Sequence, residues 1–122
     1  MILVDTSVWV DHLRRPDEQL RRVLEQELVL THPLVIAEVA LGSIPNRREV
    51  LAALSLLEFA RDAADGDVLT LIEARELWSK GLSTVDAQLL ASALVTPETR
   101  LWTRDKRLAA AAGQLGVGWS PS

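Results

Sequence analysis

The sequence contains no cysteine, which excludes disulfide bridges and thiolate metal sites and favours the reducing cytoplasm as the compartment. Its first stretch, MILVDTSVWVD, has neither the basic leader nor the long apolar run of a secretory signal peptide. No apolar run approaches the roughly 20 residues that a membrane-spanning helix requires. We therefore expect a soluble, cytoplasmic protein.

An excess of positive charge is also lacking, because 13 Lys and Arg residues face 17 Asp and Glu residues, for a net charge of −4. This balance argues against a protein coated with positive charge for non-specific binding to nucleic acid. It does not exclude a nucleic-acid enzyme, since a cluster of metal-binding carboxylates would account for that much negative charge. With 122 residues, 48% hydrophobic and 25% charged, the chain is typical of one globular domain over residues 1–122.

Short apolar runs alternate with helical patterns along the whole chain. The predicted strands cover residues 2–4, 28–31, 56–60, 100–103 and 117–119. The predicted helices cover residues 8–13, 18–27, 33–41, 47–57, 66–80, 83–94 and 106–112. This alternation predicts an α/β fold, a three-layer α/β/α sandwich with a mostly parallel sheet of four to five strands. Ligands of such folds bind outside the carboxyl ends of the strands.

Two aspartates follow predicted strands directly. Asp5 comes after the first strand and Asp105 after the fourth, so both are candidates for a site at the carboxyl edge of the sheet. Each has an alternative explanation as the N-cap of the next helix. For Asp5 this alternative is weaker, because Thr6 and Ser7 could cap the helix equally well.

Two further carboxylates stand on predicted helices among apolar residues. Glu38 is the only charged residue between His32 and Arg47, so we expect more than an ordinary solvated glutamate. Asp86 lies between Leu89 and Leu90 on a helical projection, in the stripe expected to face the core. The alternative for Asp86 is a capping box with the serine three residues before it.

A convergence of Asp5, Glu38, Asp86 and Asp105 would bring strong repulsion, about 4 kcal/mol per pair at about 4 Å with an effective dielectric near 20. It is tolerable only with a bound cation or with some carboxylates protonated. An all-oxygen set without cysteine or a positioned histidine favours Mg²⁺ or Mn²⁺ over zinc. A hard divalent ion held by carboxylates and waters is suited to hydrolysis of phosphodiester bonds.

Four stretches resemble the PIN-domain nucleases, specifically the VapC-type toxins of bacterial toxin–antitoxin pairs: VDTSVWVDHLR, VIAEVALG, STVDAQLLASAL and LWTRDKRL. The resemblance extends over the whole chain and rests on the order and spacing of these stretches. It implies that the metal-binding and catalytic acids are Asp5, Glu38, Asp86 and Asp105. It also implies that Thr103 orders this site and that Thr6 lies close by. The last stretch is the most variable one in that family.

The same resemblance implies a Mg²⁺-dependent endoribonuclease that is the toxin of a type II toxin–antitoxin system. It implies a homodimer, and an antitoxin of the VapB type whose C-terminal segment occupies the acidic groove. An antitoxin arginine there would compete with the metal by charge pairing. The apolar residues Val50, Leu51, Leu54 and Leu57 are candidates for the dimer seam, although the same pattern is typical of core.

Basic residues near these stretches are candidates for RNA binding. We hypothesise that Arg14, Arg104 and Lys106 flank the acidic pocket and hold phosphates. The alternative is that they are solvated helix ends. The four tryptophans at positions 9, 78, 102 and 119 are predicted to pack in the core rather than to stack on bases. His12 and His32 are predicted to be structural or to lie at the groove edge, because no nucleophile is placed to use them.

Two other functions fit parts of the pattern. A phosphoacceptor receiver domain would also carry strand-end aspartates, but it requires an acidic doublet after strand one and an acceptor Asp after strand three. The sequence has a single Asp after strand one, and the third strand region, LLEFARDAAD, fits poorly. A non-catalytic RNA- or protein-binding module on the PIN scaffold is the other alternative, which the presence of all four acids disfavours.

Overall fold

The structure, a computed structural model, describes residues 1–121. Its centre is a four-stranded parallel sheet in the order β3-β2-β1-β4. The strands are β1 (Ile2–Val4), β2 (Val29–Thr31), β3 (Glu58–Phe59) and β4 (Arg100–Trp102). The predicted parallel α/β sheet is thus confirmed, whereas the predicted strand at residues 117–119 is reduced to one bridge between Leu101 and Gly118.

Seven helices within residues 1–121 connect and follow the strands. They are α1 (Thr6–Arg14), α2 (Glu18–Glu25), α3 (Pro33–Leu41), α4 (Arg47–Ser55), α5 (Asp65–Ala74), α6 (Thr84–Val95) and α7 (Lys106–Gln114). Helix α1 packs on α3 and α3 on α4, while α5 packs on α6 and α6 on β4. None of the helices in residues 1–121 is long and apolar enough to cross a membrane.

The strand order determines which helices cover which face. The chain moves in one direction across the sheet from β1 to β2 to β3, and then crosses back over both to β4. Because crossovers between parallel strands are right-handed, the two directions place α1–α4 on one face and α5–α6 on the other. The chain therefore switches direction between the neighbouring strands β1 and β4, and their carboxyl ends form the crevice in which ligands bind in α/β sheets.

Local sequence signals explain the helix bounds that agree with prediction. Helix α3 has Pro33 at its first position and ends at Gly42, as the fixed φ of proline and the C-cap preference of glycine favour. Helix α6 begins after Ser83, whose hydroxyl accepts from the N–H of Asp86 while the Asp86 carboxylate accepts from the N–H of Ser83. This reciprocal pair is a capping box.

The predicted helix at residues 66–80 is wrong at its C-terminal end, because α5 ends at Ala74. Glu76 adopts the left-handed region at φ 52°. Its N–H donates to the carbonyl of Glu73, and the N–H of the buried Leu77 donates to that of Ile72. This arrangement is a Schellman motif, which usually carries glycine where Glu76 stands. The helix therefore ends six residues before Lys80, and the chain turns at Glu76 instead of at Gly81.

The core consists of β1, β2 and β4 and the inner faces of the helices around them. Trp9 and Trp102 are buried in it, as predicted. Trp78 is 52% exposed, and its predicted place in the core is wrong, because it lies in the turn beyond the end of α5. In the expected dimer seam, Leu54 is buried and its three neighbours pack against the same core.

Replacing Glu76 by glycine should stabilise the protein by about 0.5–1 kcal/mol. A residue with a Cβ pays roughly 1–2 kcal/mol in the left-handed region, and the greater freedom of glycine in the unfolded chain offsets about half of this. Urea unfolding of Glu76→Gly measures the effect. The control, Glu73→Gly in the last turn of α5, should destabilise by about 0.5–1 kcal/mol, and the same sign for both variants would contradict the assignment of strain to Glu76.

Candidate functional site

The carboxylate of Asp5 is buried at the carboxyl end of β1, where the residue is 6% exposed. Its N–H donates to the carbonyl of Trp102 at 2.9 Å, which continues the pairing of β1 with β4. Its Oδ2 accepts from the hydroxyls of Ser7 and Thr103, both at 2.7 Å. Within residues 1–121 no Lys, Arg or His forms a salt bridge with Asp5. The buried negative charge is therefore stabilised by neutral donors.

The two hydroxyls belong to a wider network that joins α1 to the end of β4. Ser7 Oγ also accepts from the N–H of Arg104 at 3.0 Å, and Thr103 Oγ1 accepts from the N–H of Asp105 at 3.1 Å. The sequence predicts Ser7 only as a possible helix cap, and its place in this network is an addition from the structure. The Asp5-Thr6-Ser7 order after a strand could have predicted this contact. Asp5 is the N-cap of α1, and the hydroxyl of the second residue after an N-cap can reach back to it.

Glu38 is linked to the same region through Thr6. Thr6 Oγ1 donates to Glu38 Oε1 at 2.6 Å, across the packing of α1 on α3. Glu38 is exposed, and its hydrogen bond with Thr6 distinguishes it from a glutamate that contacts only solvent. The buried face of α3 is formed by Val35 and Val39, while Leu41 is 88% exposed.

Asp105 and Asp86 both cap helices, as the alternative explanations from sequence proposed. Asp105 Oδ1 accepts from the N–H groups of Arg107 and Leu108 at 2.9 and 3.0 Å, at the start of α7. Asp86 is half-buried, and in the described chain its side chain bonds only Ser83. Asp105 is joined to Asp5 through Thr103, whereas no hydrogen bond within residues 1–121 joins Asp86 to that network.

Each of the four acids has one engaged and one free carboxylate oxygen. Asp5 Oδ2, Glu38 Oε1, Asp86 Oδ2 and Asp105 Oδ1 accept hydrogen bonds. The second oxygen of each receives none from residues 1–121. Capping and metal binding are therefore compatible in geometry, because the cap fixes the side chain and leaves one oxygen available to another partner.

The donor set fits a hard cation, although the carboxylates do not form a closed cage. No three His, Asp or Glu side chains within residues 1–121 are grouped so as to hold a metal ion. Mg²⁺ retains several waters in most protein sites and is bound through one or two carboxylates. The oxygens of Asp5 and its neighbours suit such a water-rich site. That all four acids contact the same ion stays a prediction.

Arg104, one of the three residues predicted to hold phosphates, is engaged by carboxylates. Its Nη1 donates to Asp11 at 2.8 Å and its Nη2 donates to Asp17. The guanidinium carbon lies 5.7 Å from the ring centroid of Trp102. Burial would lower the pKa of Arg104, but the hydrogen bonds that it donates to the two carboxylates raise it. Arg14 and Lys106 are exposed, and no carboxylate of the described chain pairs with either.

A groove runs beside Glu38, between α1 and the end of α3. Its volume is about 370 Å³, and its walls include Val10, Leu13 and Ile44. Arg14 and Glu38 place opposite charges along the same groove. An apolar channel with charged groups next to the candidate site could accept an extended or helical peptide that carries an apolar stripe and a charge.

The histidines are structural, as predicted. The buried His32 caps α3, since its Nδ1 accepts from the N–H of Leu34 at 3.0 Å, and its Nε2 lies 3.1 Å from Asp62 Oδ1. Burial lowers the pKa of His32, against the opposing effect of Asp62. His12 Nδ1 accepts from the N–H of Asp17 at 2.9 Å. Burial lowers the pKa of His12 too, although Asp17 opposes the shift.

Comparison with known proteins gives two consistent findings. Residues 2–114 match the family described as PIN domain. The chain is 50% identical over 117 residues to Ribonuclease VapC32 of Mycobacterium tuberculosis strain H37Rv. The matched region covers 96% of this chain and 94% of that protein. The protein of the same name from strain CDC 1551 matches with the same identity and coverage. These matches leave no basis for the receiver-domain alternative.

Stability should fall as the pH is lowered from about 7.5 to about 5.5. Both histidines have a pKa below the ordinary value of 6.5, so the unfolded chain binds protons first as the pH falls. The stabilisation that the two neutral histidines contribute is complete above pH 6.5. It is lost as the pH falls from 6.5 through the pKa of the folded state. Urea unfolding at several pH values measures the slope.

Asparagine at position 32 or 12 keeps a hydrogen-bond acceptor and does not titrate. Each of His32→Asn and His12→Asn should reduce the slope, and the double variant should nearly remove it. A double variant with the full slope of the natural sequence would assign the pH dependence to other groups.

Proposed function

Because the chain belongs to the PIN-domain family, with a VapC ribonuclease as a relative along nearly its whole length, we propose that it is a metal-dependent endoribonuclease. In this proposal it hydrolyses phosphodiester bonds of RNA with Mg²⁺, or with Mn²⁺ in its place. It acts in the cytoplasm as the toxin of a type II toxin–antitoxin system, and its activity is restrained by an antitoxin of the VapB type.

The observation that carries the proposal is the state of Asp5. The Asp5 carboxylate has little solvent access, accepts hydrogen bonds only from hydroxyl and amide donors, and has no cationic partner within residues 1–121 at the crevice between β1 and β4. Burial of an uncompensated charge is costly, so a divalent cation that binds there gains from it. When bound there, the ion would supply Lewis-acid chemistry: it would polarise a phosphoryl oxygen and would lower the pKa of a bound water.

The other residues have distinct roles in the proposal. Glu38, Asp86 and Asp105 would hold the ion together with Asp5, and each has one carboxylate oxygen that accepts no hydrogen bond from residues 1–121. Thr6 orients Glu38 with a hydrogen bond of 2.6 Å. Thr103 orients Asp5 and supports the loop of Asp105.

RNA is held in this proposal by Arg14 and Lys106, which are free of carboxylate partners in the described chain. Arg104 contacts phosphate only after it leaves Asp11 and Asp17, since both of its terminal nitrogens are engaged. The antitoxin places its C-terminal segment along the groove beside Glu38 and brings a cation to the acids. A homodimer completes the assembly.

The decisive assay uses purified protein, free of antitoxin, with mixed RNAs and Mg²⁺. Asp5→Asn and Asp86→Asn should each lower the cleavage rate by about 100-fold or more, a loss of about 2.7 kcal/mol in transition-state stabilisation. Asp67→Asn removes an equal charge from the exposed start of α5 and should cleave like the natural sequence.

Circular dichroism must show that the variants are folded, and a chelator must stop the reaction. Cleavage that continues without divalent metal, or that is unchanged in both variants, contradicts the proposal. Binding of RNA without cleavage would favour the non-catalytic module on the PIN scaffold.

Charge reversal at Arg14 and Lys106 should weaken RNA binding and flatten its dependence on salt. Each phosphate contact that is lost should reduce the slope of log K against log salt by about 0.7 for single strands. Fluorescence anisotropy with a labelled RNA and inactive Asp5→Asn protein measures both quantities. Arg48→Glu, on the exposed side of α4, is the control, and an unchanged slope in the double reversal would remove both residues from the RNA site.

A further inference from the structure

Asp62 lies outside the acidic site and connects two helices that carry candidate ligands. Its Oδ1 accepts from Gln88 Nε2 at 2.8 Å and lies 3.1 Å from His32 Nε2. Gln88 Nε2 also donates to the carbonyl of Ala63 at 2.8 Å. One carboxylate oxygen of the loop after β3 thus contacts side chains from two separate parts of the chain.

The two contacted residues belong to helices on opposite faces of the sheet, and each of these helices carries one of the candidate acids. His32 is the N-cap of α3, the helix that presents Glu38. Gln88 lies in the first half of α6, two positions after Asp86. Helices α3 and α6 lie on opposite faces of the sheet, and the contacts of Asp62 connect them around its carboxyl edge, in addition to their packing on the sheet.

The hydrogen bonds fix the direction of this connection. His32 Nδ1 accepts from the N–H of Leu34, so its Nε2 carries the proton and donates to Asp62. Asp62 receives both donors while 70% of its side chain is exposed. Because Asp62 is exposed and buries little surface, its main contribution is the pair of hydrogen bonds that its Oδ1 accepts. The buried imidazole of His32 fixes the position of this oxygen.

We propose that Asp62 is a positioning residue, which holds the first turns of α6 at a fixed distance from α3 and thereby sets the separation of Asp86 and Glu38. The claim rests on the proposed function for its metal-binding consequence. Its structural part, the coupling of the two helices through one oxygen, is independent of what the acids bind.

The test compares Asp62→Ala and Asp62→Asn with the natural sequence, each as the full chain. Asparagine keeps an acceptor oxygen at the same place, so D62N should rescue what D62A loses. Asp67→Ala is the matched control, because Asp67 is an exposed aspartate whose side chain bonds no group in residues 1–121. Gln88→Met removes the second partner at similar volume, with Gln19→Met as its control.

Three measurements are made. Hydrogen exchange of the metal-free protein follows residues 83–90, calorimetry follows binding of Mn²⁺ alone, and steady-state cleavage separates kcat from KM. D62A and Q88M should exchange faster at the start of α6. Their Mn²⁺ affinity should fall about tenfold, in the lower range of losses for residues behind metal ligands. The kcat for RNA should fall while KM stays constant.

The outcomes separate this inference from the proposed function. If the natural sequence neither binds Mn²⁺ nor cleaves RNA, the proposed function fails, and the exchange data alone decide whether Asp62 couples the helices. Exchange in D62A that equals that of D67A overturns the inference. So does an unchanged Mn²⁺ affinity in D62A when the natural sequence binds the ion, or a D62N variant as impaired as D62A.

Discussion

The buried carboxylate of Asp5 is the constraint on which the site depends. The residue ends β1, pairs with β4 through its N–H and begins α1, so its position is determined by the backbone. A carboxylate in that position requires donors, and the chain supplies the hydroxyls of Ser7 and Thr103. Hydroxyls stabilise the anion without neutralising it. The same contacts that satisfy Oδ2 of Asp5 leave its Oδ1 without a donor from residues 1–121 and open to a cation.

Most of the sheet and the starts of most helices follow from sequence, whereas the ends of α2, α4, α5 and α7 differ from the predicted ones by two residues or more. Pro33 and Ser83 predict the starts of α3 and α6, because proline favours the first position of a helix and serine favours the N-cap. Helices α2 and α5 end in Schellman motifs at Glu27 and Glu76, both with positive φ. Glutamate gives no local sign of such a turn. What ends these helices is the burial or packing of Leu28 and Leu77 just beyond them, which is a tertiary effect.

In the candidate site, too, the features that depend on nearby residues are predictable from the sequence, whereas the contacts between distant residues are not. Asp5 and Asp105 were found because strand ends in a parallel sheet meet at one edge. The role of Ser7 was missed, since it depends on the pairing of β1 with β4, which brings Thr103 and the N–H of Arg104 to the same hydroxyl. The pairing of Arg104 with Asp11 and Asp17 was equally hidden. A cluster of basic residues in sequence says nothing about which of them already has a partner.

That pairing also explains how an arginine can stand next to the site without neutralising it. The N–H of Arg104 donates to Ser7, one hydrogen bond from the Asp5 carboxylate, so the chain carries a permanent cation into the immediate neighbourhood. Asp11 and Asp17 hold the guanidinium on the other side of the loop, over Trp102. Asp17 keeps its charge for this purpose: although burial raises its pKa, the N–H of Leu20 and Arg104 lower it overall. Without these two acids, Arg104 would be the nearest competitor of any metal for Asp5.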